Sequence, residues 1–397
     1  MKKILRGRIV VEGHQLVTSN TGILLEDGVI LGVGDYDNMV TELGNVPVHD
    51  YDGILCPGLI NSHTHLELST FRYRDFLHKD FVDWVMRLVD SRSLPFRDSD
   101  GRLKCATAKQ EAEDRGTAFF VNVGNDFKLN ERLGDNQLFQ FELLGINENV
   151  AEHVYSKAMT TIGQSGSERV AMGIHAPYSV SPQLMKKIKY HNDSIGSVTS
   201  IHLAETSDEV EFIRTGNGRI VDLLDRRVGS WKFSPNGLSP VKYVDSLGIL
   251  DNKTLCAHCV CLDDDDVRTL AERRSGVAVC VRSNRFLSGE VPPLRKLLEH
   301  EITLTIGTDS TASSPDIDMF AEVSAFYHEF HGLVSPTDVM KYATTNAAIF
   351  LGKSDAYGSI SVGKRGPIIF VPFDGARQDA VEFLVTEAVG KTKVVKC

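Results

Sequence analysis

His63 and His65 stand two residues apart at the end of the apolar run ILCPGLINSHTH, and three more such runs end in His202, His258 and Asp309. In a strand, a spacing of two puts both imidazoles on one face, where they can share an ion. Neutral imidazole and carboxylate suit zinc, iron or manganese, and three or four protein ligands with one open position describe a catalytic site rather than a structural one. Such an ion brings the pKa of a water toward neutrality. A lone histidine on an apolar run is usually a core residue. Four histidines and an aspartate ending such runs carry the metal reading.

Other residues could serve a substrate. Glu205, three residues after His202, is placed to move a proton to a ring nitrogen, although Thr206, Ser207 and Asp208 also read as helix-capping residues before VEFIRTG. His175 in His-Ala-Pro-Tyr reads as a substrate contact. Arg282-Ser283-Asn284 offers a fixed cation and two hydrogen-bonding side chains, and a guanidinium fork matches a carboxylate or a heterocycle edge. Cys256 and His258 alternate with Cys259 and Cys261, so the Cys-x-x-Cys pair is expected on opposite faces, away from redox or structural-metal work. Asp263 to Asp266 reads as a helix N-terminal turn, where carboxylates favour the dipole.

These residues need elements to bring them together. Eight runs qualify as buried parallel strands: ILCPGLINSHTH, TAFFVNVG, LFQFELLGI, VAMGIHAPYS, VTSIHLAE, TLCAHCV, GVAVCVRSN and TLTIGTDS. Between them lie helical stretches at Asp80 to Arg92, Ser181 to Asn192, Asp208 to Arg214, Asp263 to Arg274 and Leu294 to Glu299. Eight such strands predict an α/β fold, a (β/α)8 TIM barrel, whose reacting groups gather at the C-terminal ends of the strands. Before Ile54 the short runs RGRIVVEG, GILLEDG and VILGVGD read as an antiparallel sheet, and after Leu351 the runs IIFVPF and VEFLVTEAV read as strands joining it. The expected boundaries are 1–55 and 354–397 for the small β domain and 56–353 for the barrel. A long loop from Phe71 to Lys104, carrying Phe81 and Trp84, follows the first barrel strand and is expected to cover a ligand.

With 42% hydrophobic and 24% charged residues the chain is expected to fold throughout. Its charge of −10 is spread along the chain, which argues against nucleic acid or an anionic membrane and for a small substrate. Neither a signal-peptide core nor a membrane-length apolar run is present, and seven cysteines without framework spacing read as reduced and cytoplasmic. Oligomeric state is not encoded in any motif, and a homodimer is the base-rate expectation.

The motifs Pro57-Gly58-Leu59-Ile60-Asn61-Ser62-His63-Thr64-His65-Leu66, His202-Leu203-Ala204-Glu205, Ala257-His258 and Gly307-Thr308-Asp309-Ser310 together resemble the amidohydrolase superfamily, in its adenosine-, guanine- and triazine-type aminohydrolase subgroup. The resemblance spans the chain. It implies a barrel flanked by a β-sandwich from both chain ends, and one divalent ion, zinc with iron or manganese as alternatives, on His63, His65, His202 and Asp309. In that family scheme Asp309 takes a proton from the attacking water, His258 orients the water, and Glu205 protonates the ring nitrogen beside the attacked carbon. A second ion would call for a bridging carboxylate, often made from a lysine on the fourth strand; none stands at Ala171 to His175.

His65-Leu66-Glu67-Leu68, Phe81 to Trp84, and Arg282-Ser283-Asn284-Arg285 are similar to aminodeoxyfutalosine deaminases of menaquinone biosynthesis, with Val281 where that group often has proline. This likeness implies 6-amino-6-deoxyfutalosine, a nucleoside-like substrate with a benzoate. Glu67 and Trp84 would be contacts, and Arg282 or Arg285 would pair with the carboxylate. Rival readings are deaminases of S-adenosylhomocysteine, methylthioadenosine, guanine or a triazine, a binuclear cyclic-amide hydrolase, and a metal scaffold without catalysis.

Overall fold

Each of the eight apolar runs forms a strand in the computed structural model, which describes residues 2–13, 15–17, 20–76, 79–91, 99–130, 133–165 and 170–395. The small sheet begins the chain with β1 (Lys2–Glu12), β2 (Gln15–Val17), β3 (Thr21–Glu26), β4 (Val29–Asp35) and β5 (Val48–Pro57). The barrel strands follow as β6 (Leu59–Thr64), β7 (Thr117–Gly124), β8 (Gln137–Leu143) and β9 (Ala171–Ile174). Its second half is β10 (Thr199–Leu203), β11 (Thr254–His258), β12 (Gly276–Val279) and β13 (Leu304–Ile306). They pair in sequence order and in parallel from β6 to β13. Almost every residue in these strands is buried, as expected for a sheet covered by helices outside and side chains within.

The ring closes between the last strand and the first. Thr64 bridges Asp309, and the Asp309 N–H donates to the His63 carbonyl at 3.0 Å. Closure depends on Gly307, since a Cβ there would sit 2.8 Å from both the backbone nitrogen and the Cβ of His63. A glycine is the one residue that admits this approach. The same contact brings His63 and His65, at the end of β6, beside Asp309.

Both chain ends contribute to the second sheet. β14 (Ile368–Pro372) pairs with β5, and β15 (Lys393–Val394) pairs with β14, giving the order β15-β14-β5-β1-β3-β4 with β2 on β1. One run departs from expectation. VEFLVTEAV is not a strand: Ala380–Thr386 is a helix burying Ala380, Val381, Leu384 and Val385, packed on the helices Met319–Glu329 and Pro336–Lys341. Those four positions follow helical spacing as well as they fill a short strand, and the barrel's outer surface supplies the face they bury.

The expected helices form at Phe81–Ser91, Pro182–Ser194, Ser207–Thr215, Asp264–Arg273 and Leu294–Glu299. Arg92, the expected end of the first, lies outside the described residues, as does part of the loop from Phe71 to Lys104. The acidic run is a helix start, in which Asp263 and Asp266 form a reciprocal capping box. Among the described residues no helix is long and apolar enough to cross a membrane.

Candidate active site

The C-terminal ends of β6, β10, β11 and β13 converge at one mouth of the barrel. The ligand atoms of His63, His65 and His202 lie within 4.8 Å of one another, and the Nε2 atoms of His65 and His202 are 3.1 Å apart. His65 Nε2 stands 3.8 Å from Asp309 Oδ1. Both ring nitrogens of His63 are buried without a hydrogen-bond partner, a costly state that a cation on the lone-pair nitrogen would relieve. Burial, then the neighbouring imidazoles, hold His63 well below the ordinary histidine range, and burial lowers His202 and His258 as well. The rings are thus kept neutral, the form that binds a metal. A borderline cation fits this donor set.

Surrounding groups set which atom of each ligand faces inward. His202 Nδ1 lies 2.7 Å from the His175 carbonyl, which can only accept, so Nδ1 carries the proton and Nε2 offers its lone pair. Asp309 Oδ2 accepts from Ser283 Oγ at 2.6 Å and Ser313 Oγ at 2.9 Å, leaving Oδ1 toward the histidines. Burial pushes the Asp309 carboxyl up, but His65, His258 and Ser283 outweigh it and keep it below the usual carboxylate range. His258 Nδ1 lies 2.8 Å from Asn284 Oδ1, and its buried Nε2 stands 3.7 Å from Glu205 Oε1. Burial raises Glu205 to about 7, partly offset by His202 and reinforced by Asp309.

Strand ends here turn sharply. Ala204 (φ 50°), His258 (φ 72°), Cys259 (φ 52°) and Asp309 (φ 57°) all occupy left-handed backbone without being glycine. Such conformations persist where surrounding contacts impose them, and they cluster at functional sites. They also end the strand alternation on which the expectation for the cysteines rests. Cys256 and Cys259 are not on opposite faces: burial, then the adjoining Cys256 thiol, raises the Cys259 thiol.

A cavity of about 600 Å³ opens over the cluster, within the range of small-ligand sites. Its inner end carries His65, His202, Glu205, His258 and Asp309; its outer wall is apolar, with Phe81, Trp84, Leu88, Leu223, Leu224 and Ile146. His175 lines it and lies 2.6 Å from Ser179 Oγ through Nδ1. Trp84 lines it too, its indole N–H donating to the Ala312 carbonyl at 3.0 Å. Five expected contacts are elsewhere. Arg282 is held by Glu322 (Nε to Oε2, 2.6 Å) and Asp316 (Nη1 to Oδ1, 2.8 Å), while Arg285 pairs with Glu329, and neither lines the cavity. The reason is that β12 ends at Val279 and Val281–Leu287 is a helix, which turns Arg282 toward the helix Met319–Glu329. Ser283 and Asn284 touch Asp309 and His258 instead of the cavity, and Glu67 Oε2 accepts the N–H groups of Asn125 and Asp126, both at 2.8 Å.

Several residues in or behind the site have no signature of their own in the sequence. Asn125, Glu142 and Asn147 line the cavity, Arg227 is its one arginine or lysine among the described residues, and Ser313 sits behind Asp309. Glu209 sits behind Glu205 and did have a signal: Thr206-Ser207-Asp208-Glu209 spells a capping box.

Comparison with known proteins follows the same lines. The model of the Amidohydrolase family matches residues 54–391. A 5-methylthioadenosine/S-adenosylhomocysteine deaminase of Pelotomaculum thermopropionicum is 27% identical over 387 residues, covering 92% of this chain and 83% of its own. Aminofutalosine deaminase of Helicobacter pylori, solved with methylthio-coformycin, shares the fold with a TM-score of 0.85 at 20% identity, over 99% of this chain and 97% of that one. An adenosine deaminase from Xanthomonas campestris with bound zinc superposes with a TM-score of 0.75 at 21% identity, over 95% and 88% of the two chains. With a family match across most of its length, this chain belongs to the amidohydrolase family and is a hydrolase acting on C–N bonds, and the histidine-rich cluster at its barrel mouth could hold a metal ion.

Proposed function

We propose that the chain deaminates an adenine nucleoside carrying an apolar arm, 6-amino-6-deoxyfutalosine being the substrate we favour, with one zinc ion per chain. The observation that carries this reading is a buried Glu205, raised to about 7, at the polar end of a cavity whose remaining wall is mainly apolar. His63, His65, His202 and Asp309 would hold the ion, which when bound supplies a Lewis acid that makes water acidic near neutrality. Asp309 accepts a proton from the attacking water through Oδ1, since Ser283 and Ser313 occupy Oδ2. His258, fixed by Asn284, presents Nε2 as an acceptor that orients the water. Glu205 donates its proton to the ring nitrogen, which makes the adjacent carbon electrophilic. The proton held by Asp309 then passes to the exocyclic amine, the C–N bond breaks and ammonia leaves, and the hydroxyl proton on the new C–O group returns to Glu205, which leaves a carbonyl and restores the donor.

One ion is favoured over two. Among the described residues the other cluster that could hold a metal, Glu142, His175 and His202, shares His202, whose Nδ1 is already committed to a carbonyl. The apolar wall, with Phe81 and Trp84, suits an aryl arm such as that of the futalosine-type compound. It also suits a methylthio group, which makes 5-methylthioadenosine the second reading, in line with the relatives. Six free cysteines among the described residues fit a reducing, cytoplasmic setting. The test is ammonia release from 6-amino-6-deoxyfutalosine, methylthioadenosine, S-adenosylhomocysteine, adenosine, guanine and a triazine. We expect the highest kcat/KM for the first; a preference for guanine or the triazine would overturn the nucleoside reading.

A further inference from the structure

Glu209 sits three residues after the helix N-cap Thr206, whose side chain accepts from the Glu209 N–H at 3.4 Å. In an ordinary capping box the glutamate at this position would turn back to the N–H of the cap residue itself. Here it reaches further. Oε1 accepts the N–H of Ala204 at 3.0 Å and Oε2 the N–H of Glu205 at 2.9 Å, with Glu209 wholly buried. Ala204 is one of the residues in left-handed backbone, which a β-carbon disfavours. A buried carboxylate in this place costs desolvation, and its carboxyl is raised to about 8 by burial against the two backbone N–H groups that lower it. A capping role alone does not call for this arrangement, because Thr206 already caps the helix.

We infer that Glu209 is a positioning residue: its two carboxyl oxygens accept the Ala204 and Glu205 amides, hold the strained turn after β10, and so aim the Glu205 side chain into the cavity. The inference rests on Glu205 being the proton donor proposed above. A carboxyl group has two oxygens and can accept both N–H groups at once. A glutamine cannot, since its NH2 would face an N–H. Misplacing a reacting group by about 1 Å costs on the order of 10²-fold in rate.

The experiment is a double-mutant cycle of Glu205→Ala and Glu209→Gln on the full-length, metal-loaded enzyme, using the best substrate of the panel. Glu209→Gln alone is expected to lower kcat by about 10²-fold, to leave KM within a few-fold, and to leave metal content unchanged. In the Glu205→Ala background it is expected to cost almost nothing more, because the group it aims is gone. Amide hydrogen exchange gives a readout apart from activity: the Ala204 and Glu205 N–H groups should exchange at least tenfold faster in Glu209→Gln, with the rest of the barrel unaltered. Wild-type kcat in Glu209→Gln, or the full loss repeated in the Glu205→Ala background, would overturn the inference. Were Glu205→Ala itself near wild type, the proposed mechanism would fail instead. If Glu209→Gln does not fold, Glu209→Asp, shorter by one methylene, replaces it in the same cycle with the same expectations.

Discussion

Glu205 must carry a proton to give one away, and burial has moved its carboxyl to about 7. The donor form is therefore present below that pH and lost above it. We expect kcat/KM to fall about tenfold per unit on the alkaline side of roughly pH 7, and Glu205→Gln to be slow at every pH with that limb absent; a wild-type profile flat from pH 6 to 9 would remove Glu205 from the donor role. His63 belongs to the same scale. Its ring has no hydrogen-bond partner for either nitrogen, so its worth lies in the cation it would bind. His63→Ala should bring bound metal, measured by elemental analysis, to background while the protein stays folded, whereas Glu205→Ala should keep its metal.

At the scale of elements, the helix Val281–Leu287 places three consecutive side chains in three different settings. Arg282 points outward to Glu322 and Asp316, Ser283 toward Asp309, and Asn284 toward His258. Glu322 is fully buried, and burial raises its carboxyl while Arg282 lowers it. Arg282→Met would leave that carboxylate uncompensated, a loss of about 3–5 kcal/mol in stability, read as a lower urea midpoint. Substrate KM should change little, since Arg282 does not line the cavity. A selective rise in KM for a carboxylate-bearing substrate, without loss of stability, would return Arg282 to the role of substrate contact.

For the whole molecule, the candidate ligands come from β6, β10 and the segment after β13, so an ion would tie the first strand of the barrel to its fifth and last. Anything that binds the folded chain alone stabilises it by mass action, about 2.7 kcal/mol at a free concentration one hundred times Kd. A chelator should therefore lower Tm and abolish ammonia release together, and added zinc should restore both. Unchanged Tm after the metal has been removed, verified by elemental analysis, would show that the ion is not part of the barrel's cohesion.

Much of this is written locally along the chain. Short runs rich in Val, Ile and Leu that alternate with helical stretches read as buried strands, eight of them close into a barrel, and the period of two in His63-Thr64-His65 already sets both imidazoles on one face. The meeting of His63, His65, His202 and Asp309 was legible for that reason, as was the place of Glu205 on the cavity wall. Pairing across distance was not. Arg282 reads alike whether it meets a substrate or Glu322, forty residues on, and the choice fell to the packing of two helices outside the barrel. VEFLVTEAV satisfies both periods, and a free apolar surface on neighbouring helices selected the helix. The left-handed turns at Ala204, His258 and Asp309, and the reach of Glu209 past its own helix, arise from contacts that exist only once the strand ends have met. Periodicity records which face a residue takes; the partner waiting on that face is set by the three-dimensional arrangement of the other elements.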